Sequence, residues 1–215
     1  CRRVLGRLGV TMSVRGLDRL PATDGWVAVA NHRSRFDGRC LYLAFEGDAD
    51  FAVSRRMSLV PFFGQAMLSL GFLIIDRRRT GASIRRIQQA EESFRRGRRV
   101  LFFPEGRRTE RGAMLPFKSG AFMLAVGAQV PLIPVAVIDR GESGRGPIEI
   151  RIGPPVSTAG CDRDDVPRLK ATCRRLIEEM MRTSPDEASR FPPQLETTLP
   201  AESAMMRSAR SASSG

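Results

Sequence analysis

Apolar residues in this chain come in short runs, each closed by glycine, proline or a polar residue before it can become a long helix. Two stretches have the residue count to cross a bilayer, 57–75 (MSLVPFFGQAMLSLGFLII) and 119–138 (SGAFMLAVGAQVPLIPVAVI). Neither reads as a single helix. Pro61, Gly64, Gln65 and Gly71 interrupt the first, and Pro131 and Pro134 the second, and a proline removes a helix hydrogen bond and crowds the preceding turn. Each stretch therefore divides into a short helix, a turn and a strand. The same grain runs along the chain, with strands expected at 26–30, 51–54, 72–75, 100–103, 132–138 and 148–152. Helices are expected at 34–45, 61–70, 83–96, 117–126 and 164–181, the last with Leu169, Cys173, Leu176, Ile177 and Met180 on one face. This alternation predicts an α/β fold, a mixed and largely parallel central sheet flanked by helices.

With 215 residues, 42% of them hydrophobic, the chain can bury one sizeable core. That core is expected to be a single domain over residues 1–183. Beyond Thr183 the text turns to Ser, Pro, Ala, Thr and scattered charge, ending SARSASSG, and 184–215 are predicted to be a disordered tail that cannot repay its ordering entropy. The chain opens on Cys1 rather than methionine, so a longer protein is expected upstream. Cys1, Cys40, Cys161 and Cys173 form no CxxC pair, and a single histidine supplies no zinc-ligand set; a reducing, cytosolic setting is expected.

Charge is concentrated. The 35 basic residues outnumber 23 acidic ones, giving +12, and Lys118 and Lys170 are the only lysines. Residues 54–111 alone hold 14 arginines against 5 acids. Arginine grips phosphate and carboxylate as a rigid fork, so an anionic partner is expected: nucleic acid, an acidic membrane surface or a phosphorylated small molecule. Against nucleic acid stand one Trp, one Tyr, no zinc pattern and no recognition-helix signal.

Three places can carry chemistry. His32, the only histidine, stands in AVANHRSRFDG at the end of an expected strand, with Asp37 five residues on. A carboxylate at that spacing can reach back to the ring, fix its tautomer and stabilise the imidazolium; a helix cap or loop hydrogen bond is the plainer alternative. LFFPEGRRTERG ends a strand in Pro104, Glu105 and Gly106 before Arg107 and Arg108, with Lys118 following. GFLIIDRRR repeats that logic with Asp76 and three arginines. Cys40 reads as a buried helix residue, since nothing near it would lower its pKa.

In order and spacing, NHRSRFD, GFLIIDR, FFPEGRRT and VPLIPVAV, joined by VPFFG at 60–64, resemble the blocks of the glycerolipid acyltransferases related to bacterial 1-acylglycerol-3-phosphate (lysophosphatidic acid) acyltransferase. The resemblance covers residues 12–155. It implies a glycerolphosphate acyltransferase-like fold and an enzyme that moves a fatty acyl group from acyl-CoA or acyl carrier protein to a lysophospholipid acceptor, giving phosphatidic acid. His32 would be the general base and Asp37 its orienting partner; Arg77 and Arg108 would bind the acceptor phosphate. Glu105 and Gly106 match the acceptor-site loop, and Pro134 matches a proline that is structural or lines the donor path. No metal or redox cofactor is implied. Oxyanion donors are expected among the backbone N–H groups after Asn31.

The resemblance further implies a peripheral enzyme at the cytoplasmic face of an anionic membrane, with an N-terminal membrane-binding helix that would lie before Cys1. Phe62, Phe63, Met67 and Leu68 either dock on the bilayer or fill the core and acyl groove. The chain departs from the family pattern at Arg107, where threonine is usual, and in the extra charge of Arg33 and Arg35, which leaves another lysolipid, such as a lyso-ornithine lipid, as an alternative acceptor.

Overall fold

The computed structural model describes residues 11–21, 25–54, 73–75, 92–94, 96–109, 113–139 and 147–183. The expected helix at 61–70, most of that at 83–96, Arg77, the apolar set Phe62, Phe63, Met67 and Leu68, and the 184–215 tail lie outside them.

Seven strands form one sheet: β1 (Met12–Arg15), β2 (Trp26–Ala30), β3 (Asp50–Ser54), β4 (Leu73–Ile75), β5 (Arg99–Phe102), β6 (Leu132–Asp139) and β7 (Ile148–Ile152). Their order is β1-β7-β6-β2-β5-β3-β4. β2 runs parallel to both β5 and β6, and β3 parallel to β4 and β5. β7 turns back antiparallel to β6, and β1 lies parallel to β7 at the edge. The expected mixed, largely parallel sheet is therefore present. Helices α1 (Asp37–Ala44), α2 (Gly120–Ala128) and α3 (Val166–Arg182), with short 3-10 helices at Leu17–Arg19 and Arg163–Asp165, complete the described elements.

The central strands are apolar on both faces because both faces are covered. From β2 and β5, Val27, Val29, Val100 and Phe102 pack with α2 and α3. Trp26, Ala28, Ala30 and Leu101 point the other way and pack with Cys40, Leu41 and Ala44 of α1. The apolar face expected for the last helix is the buried face of α3.

Two local features hold β2 and β6 in place. Gly25 precedes β2 where the backbones of Phe94 and Arg98 close in; a Cβ there would meet their carbonyl oxygens at 2.2 and 2.5 Å, distances only glycine permits. Pro134 lies inside β6, paired with Val29 of β2. Its carbonyl accepts from Gly153 N at 2.8 Å, so its missing N–H also faces the β7 side, just past the last strand residue Ile152. No rung with β2 is lost, which is how an interior strand tolerates proline.

β1 was not expected from the sequence. MSVR offers only two apolar residues, alternating with exposed ones, as an edge strand does. α1 also begins three residues later than expected, for a reason that lies in the site.

Candidate active site

The site grows from the carboxyl end of β2, the strand flanked by β5 and β6. In parallel sheets that end is where loops converge. The first residue beyond the strand, Asn31, is fully buried. Its Nδ2 donates to the Val137 carbonyl (2.9 Å) and its Oδ1 accepts from Val137 N (2.7 Å). The side chain thus extends the β2–β6 ladder past its last backbone pair, Ala30 with Val135.

His32 follows directly, so its Cα position is inherited from the sheet. Its backbone N–H donates to Glu105 Oε1 (2.9 Å), and its carbonyl accepts from Thr109 N (2.9 Å). The Pro104–Thr109 loop after β5 is thereby tied to the loop after β2. The His32 ring stacks on Phe103, with centroids 4.0 Å apart and planes 18° from parallel. Its Nδ1 lies 2.8 Å from Asp37 Oδ2.

Asp37 is the first residue of α1 and is buried. Besides the ring nitrogen, Oδ2 accepts from Arg33 N (2.6 Å) and Ser34 N (2.8 Å). This loop-closing carboxylate delays the helix: Ser34 turns the chain, its Oγ accepting from Phe36 N (3.2 Å). Asp37 Oδ1 is buried without a hydrogen-bond partner among the described residues. The ring and the carboxylate differ in exposure, 21% for the His32 side chain and 0% for Asp37, so solutes can reach the imidazole while the acid stays sealed. In a neutral imidazole the Asp37 contact puts the proton on Nδ1 and leaves Nε2 as the basic nitrogen.

Glu105 is buried with both oxygens in use, Oε2 accepting from Leu115 N (2.8 Å) and Thr109 Oγ1 (3.3 Å). Its carboxylate therefore ties loops together and faces inward. Gly106 is exposed with φ +74°, the left-handed turn that glycine adopts without strain. Arg107 and Arg108 follow on the surface, in the loop that Thr109 ties to His32. Arg77 lies outside the described residues.

The expected oxyanion donors are largely taken up. Of the amides from His32 to Asp37, that of Arg35 alone makes no hydrogen bond to the described residues; the others go to Glu105, Asp37 and Ser34. Cys40 is buried in α1, and burial, with Asp37 and Asp139 nearby, pushes its thiol up to about 11, far from a nucleophile's range. Among the described residues no cluster of three His, Cys, Asp or Glu side chains could hold a metal ion. Sequence reasoning did not single out Asn31 or Phe103. A lone asparagine has no periodic signal, and a phenylalanine closing an apolar strand reads as core.

Residues 11–138 match the profile of the acyltransferase family, and the chain, with its largely parallel sheet and a partly exposed His–Asp pair at a strand's carboxyl end, belongs to it. It is 35% identical over 193 residues to 1-acyl-sn-glycerol-3-phosphate acyltransferase alpha of Mus musculus, covering 81% of this chain and 65% of the mouse protein. Identity to the 1-acyl-sn-glycerol-3-phosphate acyltransferase of Salmonella typhimurium is 29% over 187 residues, covering 82% and 76% of the two chains. The crystal structure of PlsC, the 1-acyl-sn-glycerophosphate (LPA) acyltransferase of Thermotoga maritima, matches with a TM-score of 0.63 at 25% identity, over 85% of this chain and 77% of that one. The chain spans just under two thirds of the length of the mammalian relatives.

Proposed function

We propose that the chain transfers a fatty acyl group from a thioester, acyl-CoA or acyl carrier protein, to the free hydroxyl of 1-acylglycerol 3-phosphate, giving phosphatidic acid. The observation that carries this reading is the contact of His32 Nδ1 with Asp37 Oδ2 at 2.8 Å, on a ring that remains open to solutes. The names of its relatives supply the substrate class.

The acceptor oxygen attacks the thioester carbonyl as His32 Nε2 takes its proton, a contribution of about 10²–10⁴-fold. Asp37 holds the ring tautomer and faces the imidazolium that forms. The tetrahedral intermediate collapses by breaking the C–S bond, and the departing thiolate recovers the proton from Nε2. Ester and free thiol are the products, and the step needs no metal or redox cofactor. Arg108, with Arg77, binds the acceptor phosphate, which Arg107 augments in place of the usual threonine. The site works against an anionic bilayer at its cytoplasmic face. Among the described residues no helix is long and apolar enough to cross a membrane.

The test is thiol release from oleoyl-CoA with vesicles of 1-acylglycerol 3-phosphate, comparing the chain with His32→Ala. Acceptor-dependent release that disappears in a folded variant supports the reading. A folded His32→Ala protein with full activity would sink it.

A further inference from the structure

Arginine on the described surface is mostly paired with acid: Arg98 with Asp50, Arg99 with Asp48, Arg168 with Asp165 and Arg175 with Glu179. At the entrance to α1 the pattern changes. Arg35 and Arg39 are exposed and make no ion pair among the described residues, yet both are held. Their guanidinium carbons lie 5.7 and 6.0 Å from the centroid of one buried ring, Phe36. Cation–π contacts of this kind orient a guanidinium without neutralising it.

Tyr42 completes the stripe. Arg39 and Tyr42 are three residues apart in α1, the spacing that brings side chains onto one helix face, Arg35 lies in the turn just before the helix, and Tyr42 is among the few large apolar side chains left exposed, at 42%. Asp37 and Cys40 are buried away from this face, and the next acid along it, Glu46, lies beyond the end of α1. Two guanidinium forks with no acid partner among the described residues, followed by a partly exposed aromatic ring, suit a phosphorylated nucleotide: the forks take phosphate oxygens bidentately and the ring takes a base by stacking.

We infer that Arg35, Arg39 and Tyr42 form a binding site for the nucleotide end of the acyl donor, the 3′-phosphorylated adenosine diphosphate of a coenzyme A thioester. The inference rests on the acyl-transfer reading of His32 and names its donor. Position supports it, because Asp37, which holds the His32 ring, begins the same helix, and the backbone rises only about 7.5 Å from Asp37 to Tyr42. A pantetheine arm is longer than that rise. The acceptor phosphate has separate cations, Arg107 and Arg108, on the loop after β5. Two guanidinium forks followed by an aromatic ring match phosphate and base, which favours a nucleotide over a carrier protein.

The experiment is calorimetric titration of the full chain with adenosine 3′,5′-bisphosphate, with Arg35→Gln/Arg39→Gln, Tyr42→Ala and Tyr42→Phe beside it, all matched by circular dichroism. The wild-type chain is expected to bind. The double variant should bind about tenfold or more weakly, Tyr42→Ala about tenfold more weakly, and Tyr42→Phe close to wild type. In steady state the double variant should raise KM for oleoyl-CoA by a similar factor while KM for S-oleoyl-pantetheine moves by less than about twofold. Absence of binding by the wild-type chain, or undiminished binding by the double variant, overturns the site. So does a double variant that releases the protein from phosphatidylglycerol vesicles yet keeps its nucleotide affinity, which would make the stripe a bilayer contact. Nucleotide binding lost in the double variant, with no acceptor-dependent thiol release from any lysolipid, would uphold the site and remove the acyl-transfer reading instead.

Discussion

Three contacts define what His32 can do, and each removes one freedom from the imidazole. Asp37 fixes the tautomer, Phe103 fixes the ring plane, and Glu105 fixes the backbone that carries it. The Asp37 contribution is electrostatic as well as geometric, because a carboxylate faces the imidazolium that forms at the transition state. Asp37→Asn can keep an oxygen for the Arg33 and Ser34 amides but loses that charge. Its expected outcome is a folded protein whose kcat falls by about 10²-fold or more, read by thiol release beside a matched circular dichroism spectrum. Phe103 acts through the ring stack, an interaction worth about 0.5–1.5 kcal/mol. Phe103→Leu keeps an apolar side chain but loses the flat plate. It should lower kcat by up to about tenfold with KM for the acceptor little changed, and Phe103→Tyr should restore the rate. A Phe103→Leu effect confined to KM would place Phe103 in substrate binding rather than in positioning the base.

At the scale of elements, the legible parts were those whose burial is two-sided or periodic. WVAVA of β2 and VLF of β5 are covered on both faces, so they appear in the text as unbroken apolar runs. The i, i+3, i+4 apolar series of α3 marked its buried face equally well. The MSVR edge strand was illegible because half of it meets water, and the start of α1 was displaced because Ser34 and Asp37 close a loop where helix periodicity alone extends the helix. The His32–Asp37 contact was allowed by spacing, which left a cap or loop hydrogen bond as the plainer reading, and it was the resemblance that singled the pair out. The inward aim of Glu105 was not legible, since it depends on Leu115 and Thr109, residues that carry no motif of their own. Gly25 belongs to the same hidden class. Gly25→Ala pushes a methyl into the Phe94 and Arg98 carbonyls at 2.2 and 2.5 Å, so β2 must shift or the strand entry must open. The expected outcome is a loss of several degrees or more in Tm, from a cost of about 1–3 kcal/mol for overpacking, and an activity loss that follows stability because β2 carries His32. An unchanged Tm would mean that the entry to β2 gives way without cost.

Across the whole molecule, each face of the sheet buries a thiol. Cys40 packs under α1, and Cys173 packs under α3. Burial pushes the first up to about 11 and the second up to about 12, whereas an unfolded thiol ionises near the ordinary value of 9.0. The folded chain therefore keeps protons that the unfolded chain gives up once the pH passes about 9, and linkage sets the direction. Below that pH both states hold the protons, and these groups leave stability flat. From about 9 to about 11 for Cys40, and on to about 12 for Cys173, stability falls as pH rises, by at most about 1.4 kcal/mol per pH unit for each thiol. Urea unfolding followed at pH 8, 9 and 10 should show a midpoint that is steady and then declines, and a Cys40→Ala/Cys173→Ala variant should lose much of the alkaline slope while being less stable throughout. Both thiols should also resist aromatic disulfide reagents at pH 7.5 until the chain unfolds. Rapid labelling of either one in the native protein would mean that its layer opens without global unfolding; for Cys40, that would expose the helix that holds Asp37 against His32.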